Sequence, residues 1–187
     1  MKITFLGHAT LEIQINEFNL LVDPFISGNP MASEINLDDL KPDFILITHA
    51  HQDHTLDVEK LAKDNNSLII SNFEIVSHFQ NIGLNGHPMN HGGKWNFDFG
   101  ELKYVNAIHT STFPDGSNGG QPGGFIITSN NKSIYIAGDT ALTYDMKLIP
   151  INYNLDLAIL PIGDNFTMGY KEAIIASDFI ECNKILG

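Results

Sequence analysis

Phe44-Ile45-Leu46-Ile47-Thr48-His49-Ala50-His51-Gln52-Asp53-His54 is the stretch on which the reading of this chain turns, because an apolar run with the character of a buried strand delivers three histidines and an aspartate within six residues. A strand end points its residues into a loop crevice, where α/β proteins place their sites. His49 and His51 are two apart, so if extended geometry persists their imidazoles project to the same side and can share one ion. Asp53 and His54 follow just past the turn, where they can face a second ion beside the first. Neutral imidazole and carboxylate suit Zn²⁺ and equally Fe, Mn or Ni, so residue type leaves the metal open. Clustering these groups without a cation would cost electrostatic energy and gain nothing.

Working outward, residues 2–6 and 11–15 read as short strands, turn chemistry at Asn16-Glu17-Phe18-Asn19 precedes a third run at 20–22, and Asp23-Pro24 closes it. The chain therefore opens as a β-meander. Residues 27–41, rich in Asn, Asp and Pro, predict a loop or short helix. On the other side of the histidine block the pattern predicts a helix at 55–64, supported by the i,i+4 pair Glu59 and Lys63, and then a strand at 67–70. Ser71-x-x-Glu74 matches a capping box opening a helix through Phe79. Residues 83–100 are rich in Gly, Asn and His. A strand at 101–108 delivers His109, a hairpin of 125–128 and 133–137 delivers Asp139, a buried strand covers 155–160, and a helix covers 170–180. Adding His109 and Asp139 gives six candidate ligands: His49, His51 and His109 for one ion, Asp53, His54 and Asp139 for the other.

The block His49-Ala50-His51-Gln52-Asp53-His54 resembles the H-x-H-x-D-H signature of the metallo-β-lactamase superfamily of binuclear hydrolases, and the likeness runs over essentially the whole chain. Gly7-His8-Ala9, Leu21-Val22-Asp23-Pro24-Phe25, Ala137-Gly138-Asp139-Thr140 and the run from Leu160-Pro161-Ile162 to Thr167-Met168-Gly169 are similar to a subgroup of small metal-dependent hydrolases. That subgroup is similar to L-ascorbate-6-phosphate lactonase and N-acylphosphatidylethanolamine phospholipase D. The resemblance implies an α+β fold, a four-layer αββα sandwich with the metals in a cleft at one edge of the two sheets, formed by residues 1–187 as a single domain. Composition and periodicity alone give only mixed strands and helices.

The resemblance further implies two divalent metal ions, zinc first and Mn, Fe or Ni as alternatives, and hydrolysis of a small ester, lactone or phosphodiester. Two cations roughly 3.5–4 Å apart lower the pKa of a shared water toward about 7 and hold it as hydroxide. Asp53 would orient that hydroxide while ligating, Asp139 would bridge the ions, and Asp23 is a candidate acceptor for a ligand imidazole or simply a strand terminator. His8, in a turn that the resemblance places at the cleft, is a second catalytic candidate that would contact substrate or donate a proton. The family pattern has one more histidine after a strand near the C-terminus. The sequence stops at Lys184-Ile185-Leu186-Gly187 before it, so the chain reads as truncated, without its last strand and helix, and the second ion is expected to be weakly held or absent.

Composition narrows the partners. The 187 residues carry a net charge of −12, and all 10 basic residues are Lys. A chain without Arg lacks the planar fork that grips phosphate or guanine, and its acidity repels polyanions, so a small-molecule substrate is expected and nucleic acid is not. No run approaches the ~18 apolar residues of a membrane span, and no signal peptide is evident, which with a lone Cys182 makes the cytoplasm the default. Homo-oligomerisation is left open. His78 reads as a surface or packing residue, His87 and His91 as candidate neighbours of the site in the Gly-rich 85–93 loop, and the Gly-rich stretch 110–124 as a substrate lid or a disordered loop. Competing readings are a di-iron redox protein on the same scaffold, a catalytically impaired metal-binding domain and, last, a nuclease.

Overall fold

A computed structural model describes residues 1–187. The chain divides into two compact units, Met1–Asn90 with Ser111–Gly120, and His91–Thr110 with Gln121–Gly187.

The first unit is built on a six-stranded mixed sheet. β1 (Lys2–Gly7), β2 (Thr10–Ile15) and β3 (Phe18–Val22) form the antiparallel meander expected from the sequence, and β4 (Phe44–Leu46), β5 (Leu68–Asn72) and β6 (Gly86–Met89) follow in parallel, in the order β1-β2-β3-β4-β5-β6. Leu20, Leu21, Val22, Ile45, Leu46, Ile69 and Ile70 are all buried, the near-continuous apolar character of parallel strands covered on both faces. Leu21, Ile45, Ile47 and Ile69 share a core with Leu61 of α2 (Val58–Asn65), with Ile75 and Phe79 of α3 (Phe73–Asn81), and with Phe113.

Two local expectations shift. The single helix predicted at 55–64 is two, α1 (Gln52–Thr55) and α2, broken at Leu56-Asp57. The Asp57 carboxylate, which would otherwise cap α2, accepts the backbone N–H of Ile26 at 2.6 Å and of Ser27 at 2.9 Å instead. The cap of α3 is Asn72, whose side chain accepts from the Ile75 N–H at 2.9 Å, one residue beyond the predicted Ser71. Strand β5 continues through Asn72, and Ser71 donates its hydroxyl to the Ile47 carbonyl at 2.6 Å.

The second unit is another six-stranded mixed sheet in the order β12-β11-β10-β9-β8-β7, made of β7 (Lys94–Phe97), β8 (Gly100–Asn106), β9 (Gly123–Ser129), β10 (Lys132–Ile136), β11 (Leu157–Ile159) and β12 (Ile185–Leu186). The predicted hairpin is β9-β10, and its two turn residues, Asn130 and Asn131, both have positive φ, the conformation Asn tolerates best after Gly. Ala173, Ala176 and Ile180 lie against Tyr135, Met146, Leu160 and Cys182, so the small side chains of α4 (Tyr170–Phe179) let it sit close on the sheet. Strands β6 and β7 fall in the segment where composition suggested only loop. Each is four residues long; β6 carries Gly86 and Pro88, which have little strand propensity, so its neighbour β5 defines it, whereas Trp95 and Phe97 alternate in β7 and are strand formers that the Gly-rich surroundings masked.

Candidate metal centre

The ligand block is organised by a buried carboxylate. Asp23 ends β3 in a left-handed conformation (φ 46), held by its own N–H on the Leu46 carbonyl (3.0 Å) and by the Thr10 hydroxyl on its carbonyl (2.8 Å). Its Oδ1 accepts the Thr48 N–H at 2.8 Å, and its Oδ2 accepts both the Thr48 hydroxyl at 2.7 Å and His54 Nδ1 at 2.9 Å. The Asp23 carboxylate and the His54 imidazole are almost completely inaccessible to solvent.

This arrangement sets two tautomers. Because the Asp23 carboxylate only accepts, His54 carries its proton on Nδ1 and offers the Nε2 lone pair. Thr48 spends its own proton on Asp23, so its oxygen accepts from His49 Nδ1, 3.0 Å away, and His49 likewise offers Nε2. His49 Nε2 lies 3.0 Å from His51 Nδ1, the rings edge-to-face at 4.6 Å. The two-residue spacing thus does bring the two imidazole nitrogens together, as groups that could hold a metal ion, even though the strand itself stops at Leu46 and His51 caps α1.

Asp53, in the first turn of α1, faces His8, with His8 Nε2 3.1 Å from Asp53 Oδ2. The hydrogen bond from His8 holds the Asp53 carboxyl far below the usual carboxylate range, aided by the nearby His54. One donor atom each from His8, Asp53 and His54 lie within 4.8 Å of one another, a juxtaposition that spacing in the sequence could not reveal for residues 45 apart.

The segment Ser111–Gly120 is ordered and fastened beside the candidate ligands, in place of the disordered loop that is one of the two expectations for it. Ser111 Oγ accepts the N–H of Ala50, the residue between His49 and His51, at 3.1 Å and donates to the Gly119 carbonyl at 2.9 Å. Asn72 Nδ2 donates to the same carbonyl at 2.7 Å. A Cβ on Gly119 would fall 2.2 Å from Ala50 Cβ, so only glycine permits this approach. Phe113 stacks on half-buried His78 at 3.9 Å, the packing alternative of the two expectations for it. Neither Ser111 nor Gly119 carries any sequence signal of such a role.

In the second unit His109 and Asp139 come together, Nε2 to Oδ2 3.8 Å. Thr140 joins the two strand ends, since its hydroxyl accepts the Ile108 N–H at 2.9 Å and the Ala141 N–H donates to the Ile108 carbonyl at 3.0 Å. His91 is engaged elsewhere, Nε2 2.9 Å from the Pro122 carbonyl oxygen and its ring on Tyr104. His87 pairs within β6 against Ile70, and burial pushes its imidazole pKa down.

Residues 2–186 match the sequence model of the Beta-lactamase superfamily domain. The chain belongs to the metallo-β-lactamase superfamily. It is 65% identical over 187 residues to a protein of Flavobacterium johnsoniae named UPF0173 metal-dependent hydrolase, all of this chain against 83% of that one. A protein of the same name from Christiangramia forsetii is 63% identical over 188 residues, again 100% of this chain and 83% of the relative. Among solved structures, a metallo hydrolase of the archaeon Ignicoccus hospitalis superposes with a TM-score of 0.87 at 30% identity, covering 98% of this chain and 79% of that one. The fold is thus the metallo-β-lactamase fold that the signature implied, and this superfamily member is a metal-dependent hydrolase.

Proposed function

We propose that the chain hydrolyses a small ester, lactone or phosphodiester at a centre of two divalent ions, zinc first, with His49, His51 and His109 holding one ion and Asp53, His54 and Asp139 the other. The observation that carries this reading is the orientation of the buried imidazoles: through Asp23 and Thr48, both His49 and His54 present Nε2 as a lone pair. Nothing in packing alone requires two completely buried histidines to be proton-free on the same nitrogen. Divalent ions, when bound, supply Lewis acidity that yields a nucleophile from water near neutral pH and stabilises developing negative charge.

The residues of the chain divide the remaining work. Asp53, half exposed, orients the attacking water with a carboxylate that accepts its hydrogen bond. Asp23 fixes the imidazoles, and Ser111 fixes the backbone between His49 and His51. Asp139 would contribute a further carboxylate to the ions. A net charge of −12 without a single Arg favours a small substrate over a nucleic acid, and any phosphate would be met by the ions, Lys or backbone N–H groups.

The test is metal analysis of the purified chain with a screen of generic phosphodiesters, esters and lactones. Hydrolysis by the wild type, abolished in a folded His51→Ala variant, is the expected result. A metal-loaded chain inactive on all three classes removes the substrate proposal, and an iron-loaded, coloured protein would favour redox chemistry instead.

A further inference from the structure

We propose that His8 is itself a metal ligand, forming with Asp53 and His54 a three-donor cation site built entirely from the first unit. This rests on the metal-dependent reading above and adds a donor that the H-x-H-x-D-H signature does not count.

The first argument is spacing. His8 Nε2 and Asp53 Oδ2 are 3.1 Å apart, nearly the 3.0 Å between His49 Nε2 and His51 Nδ1, and the donor atoms of His8, Asp53 and His54 all fall within 4.8 Å of one another. Two ligands each about 2.0–2.2 Å from one tetrahedral ion are themselves roughly 3.4 Å apart, so the triad has the span of a single coordination sphere. The donor types suit it as well, since His54 offers Nε2 because Nδ1 is committed to Asp23, and Asp53 adds a carboxylate oxygen beside it.

The second argument is energetic. His8 adopts a left-handed backbone (φ 53) directly after Gly7 (φ 106), where the register of β1 against β2 breaks. A non-glycine residue in that region is strained. Gly7 cannot relax toward a larger residue either, because a Cβ there would meet Asn29 Nδ2 at 2.8 Å. The conformation turns the His8 ring edge-on to both Phe25 (5.5 Å) and His54 (5.2 Å), aiming Nε2 at Asp53. His8 and Asp53 side chains are 39% and 47% exposed, and an ion pair open to solvent to that degree contributes little to stability. The pair alone therefore does not offset the strain that forms it. A cation gripped by the three donors would offset it, and the exposure leaves a route for the ion to enter.

A hydrogen-bond donor to Asp53 and a metal ligand are distinguished by substitution with an amide. Asn accepts a left-handed backbone and donates hydrogen bonds, but it is a poor zinc ligand. Wild type, His8→Asn and His8→Gln would be titrated with Zn²⁺ alone by calorimetry, with Co²⁺ loading followed by visible absorption, and with thermal unfolding of the metal-free proteins as the control for folding. Two ions per wild-type chain are expected. Both His8 variants should unfold within a few degrees of wild type, keep one ion, and lose the second or bind it at least about tenfold more weakly, with a change in one of the two Co²⁺ spectra. Amide variants that bind the same number of ions at wild-type affinity would overturn the proposal, whether that number is one or two. A wild type that binds no ion at all refutes the metal-dependent reading first and this proposal with it.

Discussion

Replacing Asp23 by Asn changes one buried oxygen into an amide and should cost far more than its size suggests. The backbone tolerates the change, because Asn adopts positive φ readily and Asp23 sits at φ 46. The amide oxygen can still take the Thr48 N–H. What is lost is Oδ2, which accepts two hydrogen bonds, from the Thr48 hydroxyl at 2.7 Å and from His54 Nδ1 at 2.9 Å. The amide would instead point donors at two donors. Thr48 can rotate its hydroxyl, whereas His54 can respond only by moving its proton to Nε2, which removes the lone pair meant for metal. A hydrogen bond to a charged group contributes about 1.5–3 kcal/mol, so with partial recovery at Thr48 the metal-free fold should lose about 2–3 kcal/mol. At about 2–4 °C per kcal/mol for a chain of this size, Tm falls by roughly 4–12 °C. Metal affinity should fall about 10- to 100-fold, the usual cost of removing the group that orients a ligand imidazole. Competition for Zn²⁺ against a chromophoric chelator measures the second effect and thermal unfolding in excess chelator the first. Asp57→Asn is the matched control, since Asp57 also accepts several hydrogen bonds but serves only the loop at Ile26 and Ser27. It should lower Tm without changing metal affinity. If Asp23→Asn behaved in the same way, losing stability and keeping affinity, the assignment of the tautomers to Asp23 would be refuted.

Gly119→Ala should destabilise by about 1–3 kcal/mol and weaken metal binding in the same variant, because the added methyl collides with Ala50 between two ligands; chemical denaturation with a chelator titration reads both. Asn72→Ala removes a helix cap and an anchor on the Gly119 carbonyl together, and about 2 kcal/mol of lost stability is expected by denaturant unfolding. The Tyr153 phenol, pushed up to about 12 by burial and by its hydrogen bond to Glu101, keeps its proton in the folded chain above the ordinary tyrosine range. Its contribution is therefore full below about pH 10 and lost as pH rises through about 12, so Tyr153→Phe should remove one late-titrating phenol from the absorbance titration and flatten that part of the stability profile.

The sequence was most informative where chemistry is local. His49 and His51 could be paired from a two-residue spacing, and the opening meander and the β9-β10 hairpin from alternation and turn residues. It was least informative where a side chain is claimed by something distant. Ser71 has the spacing of a cap, yet the Ile47 carbonyl takes its hydroxyl and Asn72 caps the helix. Asp57 looks like part of a continuous helix until the loop at Ile26 and Ser27 takes its carboxylate. Ser111 and Gly119 lie 61 and 69 residues from Ala50, and no periodicity links them to it. His8 was visible as a candidate, but its partner Asp53 and the strained turn that aims it belong to the three-dimensional structure.

Hydrolysis before and after metal removal tests the central claim most directly. The purified chain would be assayed on the substrate class found in the screen, stripped with chelator, shown by circular dichroism to remain folded, and reloaded with Zn²⁺ or Mn²⁺. Loss of turnover on stripping and its return in proportion to bound metal is the result expected of a centre organised around His49, His51, Asp53 and His54. Turnover that persists in the folded, metal-free chain would contradict it.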